Sequence, residues 1–204
     1  MKDWTGNRAS TFMTLGASNH TDKEREKDDF YATDPGAIDA LFGSPIGLSI
    51  PGTVWECACG NGCLSERMEH YGRTVYSSDI VDRGYGETTD FLECSDMPLG
   101  CECIITNPPY KYALEFVKHG IGLLPEGGLC IMFLKTTFLE GQRRWKELYS
   151  STPPKWVLQF RKRVLCAKNA RFEAMRKGGG SAVSYAWFVW EKGYTGRSMI
   201  DWIG

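Results

Sequence analysis

From about Asp28 onward, hydrophobic positions fall into short runs that alternate with amphipathic stretches. Short runs rich in β-branched residues are typical of buried strands, and apolar residues three and four apart are typical of helices. The predicted strands are 53–58, 74–78, 102–106 and 128–134, and the predicted helices are 35–42, 63–71 and 112–124. This alternation predicts crossover connections, and therefore an α/β protein whose parallel sheet is covered by helices on both faces.

The C-terminal third follows a different pattern. Two strand-like runs, 156–159 and 182–190, are separated by a basic connection that contains three consecutive glycines and no clear helical periodicity. Two strands joined without a crossover helix pair antiparallel, so we expect an antiparallel strand at one edge of the sheet.

The length and composition predict one domain. With 204 residues and 42% hydrophobic content, the chain can bury one sizeable core. Residues 1–27 are polar and lack periodicity, so we expect a flexible arm, followed by a single domain over 28–204. No apolar run is long enough to span a bilayer and the N-terminus lacks signal-peptide character, which predicts a cytoplasmic protein without membrane association.

The eight cysteines are interpreted as small core residues of a protein from a reducing compartment. Several lie inside apolar runs, among them Cys57, Cys59, Cys103, Cys130 and Cys166. The pairs at 57/59 and 101/103 lack the C-x2-C spacing of zinc sites, and no histidine accompanies them. We therefore expect no metal site.

A glycine turn follows the strand at 53–58. Glu56 is followed by Gly60 and Gly62, and glycines at the carboxyl end of a strand allow a ligand to approach the backbone. Asp79 ends the next strand, where a carboxylate can accept hydrogen bonds from both ribose hydroxyls of an adenosine. Position 65 is Ser, so the G-x-G-x-x-G dinucleotide fingerprint is absent, which argues against NAD. Packing of the turn and helix capping by Asp79 remain the alternatives.

The tetrapeptide Asn107-Pro108-Pro109-Tyr110 follows the apolar strand 102–106. Asn107 Oδ1 and the Pro108 carbonyl can accept the two hydrogens of an exocyclic amine, which frees the lone pair of its nitrogen for attack. Pro108 and Pro109 restrict the backbone, and Tyr110 offers a flat face for a displaced base. The alternative is an Asn-Pro turn followed by an ordinary core aromatic.

Three segments carry a family resemblance. Glu56-x3-Gly60-x-Gly62 together with Asp79 resembles motif I and the ribose-binding acid of class I S-adenosylmethionine-dependent methyltransferases. Asp90-Phe91-Leu92 resembles motif III of adenine-N6 DNA methyltransferases, and residues 30–35 resemble their motif X. The resemblance implies a Rossmann-like fold with a seven-stranded sheet and S-adenosylmethionine as cofactor. The implied cofactor-binding residues are Tyr31, Thr33, Pro35, Glu56, Cys57, Ala58, Gly60, Gly62, Asp79, Ile80, Asp90 and Phe91.

The resemblance implies a substrate only in part. Asn-Pro-Pro-Tyr is shared by adenine-N6 DNA methyltransferases, by ribosomal and transfer RNA amino methyltransferases and by glutamine methyltransferases of release factors. The glutamine enzymes usually carry a helical substrate domain ahead of the fold, whereas a short polar arm precedes it here. Segments 138–144, 161–163 and 185–190 resemble small phage and prophage adenine methyltransferases, which implies N6 of adenine in DNA with base flipping. An RNA amino methyltransferase and a non-catalytic nucleic-acid-binding module remain alternatives.

The charge distribution supports a nucleic-acid partner. The formal net charge is -1, but segment 143–177 is rich in Lys and Arg and contains only Glu147 and Glu173 as acids. We expect it to contact phosphates, with a solvated loop as the alternative. The predicted substrate-binding residues are Arg161, Arg163, Lys168 and Arg171, with Phe172 stacking against a displaced base.

Overall fold

The computed structural model describes residues 32–167 and 183–204. The strands are β1 (Ala32–Thr33), β2 (Thr53–Glu56), β3 (Thr74–Asp79), β4 (Glu87–Thr88), β5 (Cys103–Thr106), β6 (Leu129–Lys135), β7 (Trp156–Phe160), β8 (Cys166–Ala167), β9 (Tyr185–Glu191) and β10 (Met199–Ile203). The helices are α1 (Gly36–Phe42), α2 (Cys63–His70), α3 (Ala113–Leu123) and α4 (Gln142–Arg144), which continues as a π-helical turn over Trp145–Tyr149. The predicted arm, residues 1–27, lies outside the described residues.

Eight strands form one mostly parallel sheet in the order β10-β7-β9-β6-β5-β2-β3-β4. β9 is antiparallel to both of its neighbours, β6 and β7, and all other neighbouring pairs are parallel. The predicted fold class is confirmed, with one strand more than the seven expected. The additional strand is β10, which lies outside β7, so that the antiparallel strand is third from this edge.

Helices cover both faces of the sheet, which explains why its central strands are apolar along their whole length. In β6 every residue from Leu129 to Leu134 is buried. Ile131 and Phe133 pack on the face covered by α1 and α2, whereas Cys130, Met132 and Leu134 pack on the face covered by α3. The two faces therefore carry separate hydrophobic clusters, and the site must lie at an end of the strands.

The tryptophans of β9 belong to the core, as their position in an apolar strand indicates. Trp187 and Trp190 are 0% and 1% exposed. The Trp187 indole donates a hydrogen bond to the Ala37 carbonyl oxygen at 2.9 Å, and the Trp190 indole donates to Thr152 O at 3.2 Å. Each buried ring therefore has a partner for its only donor, and the first of them ties α1 to the sheet.

The cysteines are free thiols, and the five expected in the core are buried. Burial raises the pKa of Cys57 and Cys103 well above the ordinary range, so both are uncharged core residues. Within residues 32–167 and 183–204, no group of three or more His, Cys, Asp or Glu side chains is arranged to hold a metal ion. In the same ranges no helix has the length and apolar character needed to cross a bilayer.

A second, two-stranded sheet connects distant parts of the chain. β1 pairs antiparallel with β8, so that Thr33 lies directly opposite Cys166. The backbone nitrogen of Asp34 donates to Leu165 O at 3.0 Å and extends this ladder by one residue. The segment that precedes α1 is thereby held against the segment that leaves β7.

Candidate active site

The carboxyl ends of β2, β3 and β5 lie at the same end of the sheet and border a cavity of about 730 Å³. Ligands of open α/β sheets bind at the carboxyl ends of the strands. Thirteen of the predicted site residues line the cavity: Thr33, Glu56, Cys57, Ala58, Gly60, Asp79, Ile80, Asp90, Phe91, Asn107, Pro108, Pro109 and Tyr110. The fold thus brings together five separate segments of the sequence.

Asp79 holds the glycine turn in place. Its Oδ2 accepts a hydrogen bond from the Gly60 nitrogen at 2.8 Å, and its Oδ1 accepts one from the Val81 nitrogen at 3.0 Å. Gly60 has a φ of 57°, which a residue with a Cβ adopts only with strain. A carboxylate has about four acceptor positions, so each oxygen of Asp79 can accept a further hydrogen bond from a ligand.

Gly62, a predicted cofactor-binding residue, is not among the residues that line the cavity. It is the N-cap of α2 with a φ of 84°. A Cβ at this position would lie 2.6 Å from the ring of Tyr85. The second glycine of the turn is therefore required by the backbone conformation and by packing against Tyr85.

Glu56 is a buried carboxyl, 1% exposed, at the end of β2. It accepts a hydrogen bond from the Ser65 hydroxyl, which lies 2.7 Å from the Ser77 hydroxyl. Burial raises the pKa of Glu56 to about 8, and the nearby charge of Asp79 acts in the same direction. Ser65 occupies the position at which a dinucleotide fingerprint would have its third glycine.

Asp90 and Phe91 line the cavity from the loop before β5. Asp90 Oδ1 accepts a hydrogen bond from the Leu92 nitrogen at 2.9 Å and so caps the short 3₁₀ turn Phe91–Glu93. The Phe91 ring is 1% exposed, and its centroid lies 5.1 Å from that of Trp55 and 4.8 Å from that of Phe116. These contacts fix the ring at the wall of the cavity.

Asn107 presents one end of its amide to a partner and leaves the other end without one. Its Nδ2 donates a hydrogen bond of 2.8 Å to the Thr33 hydroxyl. Its Oδ1 is buried and has no hydrogen-bond partner among the residues that the structure describes. A buried amide oxygen without a partner is costly, so this atom is an acceptor that a ligand in the cavity can satisfy.

Tyr110 is partly buried and contacted on several sides. Its hydroxyl lies 3.8 Å from Cys166 Sγ, and its ring stacks on Tyr185 with centroids 6.1 Å apart. The Lys135 ammonium lies 4.7 Å from the centroid of the Tyr110 ring. Burial raises the pKa of Tyr110 well above the ordinary range, so the phenol is neutral. The ring is therefore held in one orientation at the wall of the cavity.

Other predicted residues lie away from the cavity or outside the described residues. Pro35 precedes α1 as its N-cap and does not line the cavity. Arg161 and Arg163 are exposed just beyond β7, and Arg161 Nε donates to Gly204 O at 2.7 Å. Four further residues fall outside the described ranges: Tyr31, Lys168, Arg171 and Phe172.

The cavity also contains residues that the sequence did not indicate. Most of them lie within or beside recognised motifs: Cys59, Asn61, Cys63, Leu64, Leu92, Glu93, Lys111 and Tyr112. Phe116 of α3 and Arg83 also line the cavity. Lys111 and Tyr112 form a 3₁₀ turn with Tyr110, so their adjacency to the tetrapeptide is the signal that could have identified them. No motif distinguishes Arg83, which comes from the loop after β3.

Comparisons with known proteins identify the fold. No protein-family model matches the chain, and no curated protein matches it. A structure from Listeria monocytogenes assigned to the class I S-adenosylmethionine-dependent methyltransferases has a TM-score of 0.56 at 12% identity, covering 95% of this chain and 70% of its own. A protein from Lactococcus lactis assigned as a hemolysin has a TM-score of 0.53 at 12% identity, covering 79% of this chain and 87% of its own. Magnesium protoporphyrin IX methyltransferase from Synechocystis, with S-adenosylmethionine bound, has a TM-score of 0.51 at 13% identity, covering 78% and 79%. The chain has the Rossmann-like fold of the class I methyltransferases.

Proposed function

We propose that this protein transfers a methyl group from S-adenosylmethionine to an exocyclic amino group, and that this group is N6 of adenine in DNA. The observation that carries the proposal is the Asn107 amide. Its nitrogen is engaged by Thr33, and its buried oxygen has no partner at the wall of the cavity. An acceptor held in this way matches an amine hydrogen better than it matches a hydroxyl or thiol nucleophile, which needs a base.

The cavity fits the cofactor in size and charge. Its volume of about 730 Å³ lies within the usual range of roughly 300–1,000 Å³ for small-molecule sites. Among the described residues, four carboxyl groups line it, those of Glu56, Asp79, Asp90 and Glu93, against the cations Arg83 and Lys111. An acidic lining favours a ligand that carries a sulfonium and an ammonium. The Synechocystis enzyme of the same fold binds S-adenosylmethionine.

In this proposal each recognised segment has a defined task. Asp79 accepts the ribose hydroxyls, and Asp90 and Phe91 hold the adenine of the cofactor. Glu56 faces the ammonium of its methionine part. When bound, S-adenosylmethionine supplies an electrophilic methyl group. Of the segment that resembles motif X, Tyr31 retains its proposed place near the methionine end, whereas Pro35 precedes α1 away from the cavity and Thr33 contacts Asn107.

The acceptor amine is activated by position and not by a strong base. Asn107 Oδ1 and the Pro108 carbonyl accept its two hydrogens, so that the nitrogen lone pair points out of the ring plane toward the methyl group. Tyr110 stacks against the extruded base, and Lys135 and Tyr185 fix the orientation of the Tyr110 ring. After transfer the nitrogen is an ammonium, which loses its proton to water.

A nucleic-acid acceptor is supported by cations near the carboxyl ends of β6 and β7, and the choice of DNA over RNA rests on the resemblance to small phage and prophage adenine methyltransferases. Arg161 and Arg163 are exposed beyond the carboxyl end of β7. β9 is antiparallel to both β6 and β7, so β7 runs in the same direction as β6 and β5. The carboxyl ends of β5 and β7 therefore lie at the same end of the sheet. Arg161, Arg163, Lys168 and Arg171 contact phosphates in this proposal, and Phe172 stacks against a displaced base.

The test is methyl transfer from labelled S-adenosylmethionine to unmethylated duplex DNA, with bulk RNA and total protein as parallel substrates and mass identification of the product. We expect N6-methyladenine in DNA, its loss in Asn107→Ala and its retention in Glu66→Gln, a change of an exposed side chain on α2. Label in RNA or protein alone would contradict the DNA assignment. Cofactor binding without transfer to any substrate would favour a non-catalytic module, and no cofactor binding would contradict the whole proposal.

A further inference from the structure

Thr33 makes a contact that its resemblance to a cofactor-binding motif does not explain. Its hydroxyl oxygen accepts the hydrogen bond from Asn107 Nδ2, although the two residues lie far apart in the sequence. Thr33 is 3% exposed and belongs to β1, which is not part of the main sheet. The bond therefore requires that β1 be held in place over the carboxyl end of β5.

β8 holds β1 in that place. Asp34 and Leu165 form a hydrogen-bonded pair of the antiparallel ladder, so Thr33 and Cys166 form the adjacent non-hydrogen-bonded pair. In such pairs the Cα atoms are only about 4.5 Å apart and the side chains lie close together. Cys166 is 7% exposed, and its sulfur also lies 3.8 Å from the Tyr110 hydroxyl. One short strand pair thus contacts both ends of the Asn107–Tyr110 tetrapeptide.

The Thr33 contact defines which way the Asn107 amide faces. The Thr33 oxygen accepts the hydrogen bond from Asn107 Nδ2, so the amide nitrogen faces Thr33. The amide oxygen then points away from Thr33 and is left for the cavity.

We infer that Thr33 is a positioning residue, which fixes the Asn107 side chain with Oδ1 toward the reacting amine. The inference rests on the proposed function, because it assigns Asn107 to the acceptor amine. It differs from the motif-based assignment, which places Thr33 among the residues that bind the cofactor. A cofactor contact would affect cofactor affinity, whereas a positioning contact affects turnover.

Two variants separate these roles. Thr33→Val removes the hydroxyl and keeps the shape, and Thr33→Ser keeps the hydroxyl. We expect kcat to fall about tenfold or more in Thr33→Val, because the buried Asn107 donor loses its partner. The Kd for S-adenosylmethionine and the KM for the methyl acceptor should stay within about twofold of the native values, and Thr33→Ser should restore most of kcat. Thr33→Ala provides a second test if the valine variant fails to fold.

A second measurement does not depend on turnover. The side-chain amide of Asn107 can be identified in the ¹⁵N–¹H spectrum of the protein without ligands by its loss in Asn107→Ala. We expect its resonances to shift and its protons to exchange at least tenfold faster in Thr33→Val, but not in Thr33→Ser. Unchanged resonances would overturn the positioning role even if the native protein transferred no methyl group. A weakened Kd for S-adenosylmethionine with unchanged kcat would overturn it in favour of cofactor contact.

Discussion

Replacing Glu56 by Gln should change how the stability of the protein depends on pH. The folded protein holds this carboxyl at a pKa of about 8, against an ordinary value of 4.5. Between these two pH values the folded state binds a proton that the unfolded state has lost. The free energy of unfolding therefore falls as pH rises through this window and becomes level above pH 8.

The size of the effect follows from the same two values. At 1.36 kcal/mol per pKa unit, the interval from 4.5 to about 8 corresponds to about 5 kcal/mol lost between acidic pH and pH 9. The magnitude is large because the carboxylate is buried, and the Ser65 hydroxyl offsets only part of the desolvation. Glutamine is neutral at every pH and can keep the acceptor for Ser65, so its variant should lack this decline.

The assay is urea unfolding of the ligand-free protein at a series of pH values from 5 to 9. As pH rises, the unfolding free energy of Glu56→Gln should increase by several kcal/mol relative to that of the native protein. Glu66→Gln, which changes an exposed carboxyl on the same helix that carries Ser65, serves as the control and should parallel the native protein. Parallel profiles for native protein and Glu56→Gln would refute the assignment of a raised pKa to this buried carboxyl.

Four further predictions follow from the site. Binding of S-adenosylmethionine near pH 7 should release close to one proton from the protein, because a cation beside Glu56 lowers the pKa of its carboxyl. Calorimetry in buffers of different ionisation enthalpy measures the number of protons released. Proton release that persists in Glu56→Gln would contradict this prediction. Asp79→Asn should raise the Kd for S-adenosylmethionine about tenfold to a hundredfold, since the carboxylate that orders the Gly60 turn loses its charge; an unchanged Kd by titration would exclude this role. Gly62→Ala should lower the unfolding free energy by about 1–3 kcal/mol in urea, because its φ is 84° and the added Cβ meets Tyr85; a smaller loss would mean that the ring moves aside easily. Arg163→Ala should reduce the slope of the logarithm of the DNA-binding constant against the logarithm of the salt concentration by about one unit. Arg161→Ala should reduce it by less, because Arg161 already donates a hydrogen bond to Gly204 O. Equal slopes for both variants and the native protein would show that the phosphates bind elsewhere.

The main sheet could be predicted because its strands are buried on both faces and are separated by amphipathic helices. The strands β5 and β6 are almost continuously apolar, and the predicted bounds of β2, β5 and β6 agree closely with the observed ones. β10 was not predicted although four of its five residues are apolar, because the run is short and no helical or strand-like pattern connects it to β9. β1 and β8 have two residues each, too few for any periodicity. The pairing of these two short strands depends on tertiary contacts, which leave no signal in the local sequence.

The candidate site likewise contains residues that the sequence indicates and contacts that it does not. Glu56, Asp79 and Asn107 could be located from sequence, because each ends a recognisable strand and the ends of parallel strands meet. The contact between Thr33 and Asn107 could not be, because it depends on the pairing of β1 with β8. The packing of Gly62 against Tyr85 could not be predicted for a related reason, since the sequence shows the glycine but not which side chain an added Cβ would meet.

The order of the strands also separates the charges of the site, which the net charge of -1 conceals. Asp79 and Glu56 end β3 and β2, Asn107 follows β5 in the middle, and Lys135 and Arg161 end or follow β6 and β7. The carboxyl groups that end β2 and β3 thus lie on one side of Asn107, together with Arg83, whereas Lys135 and Arg161 lie on the other side. In the proposed reaction, the cationic methyl donor would bind beside the carboxyl groups and the polyanionic acceptor would bind beside Lys135 and Arg161. The order of the strands would then let the two reactants of opposite charge reach Asn107 from opposite sides.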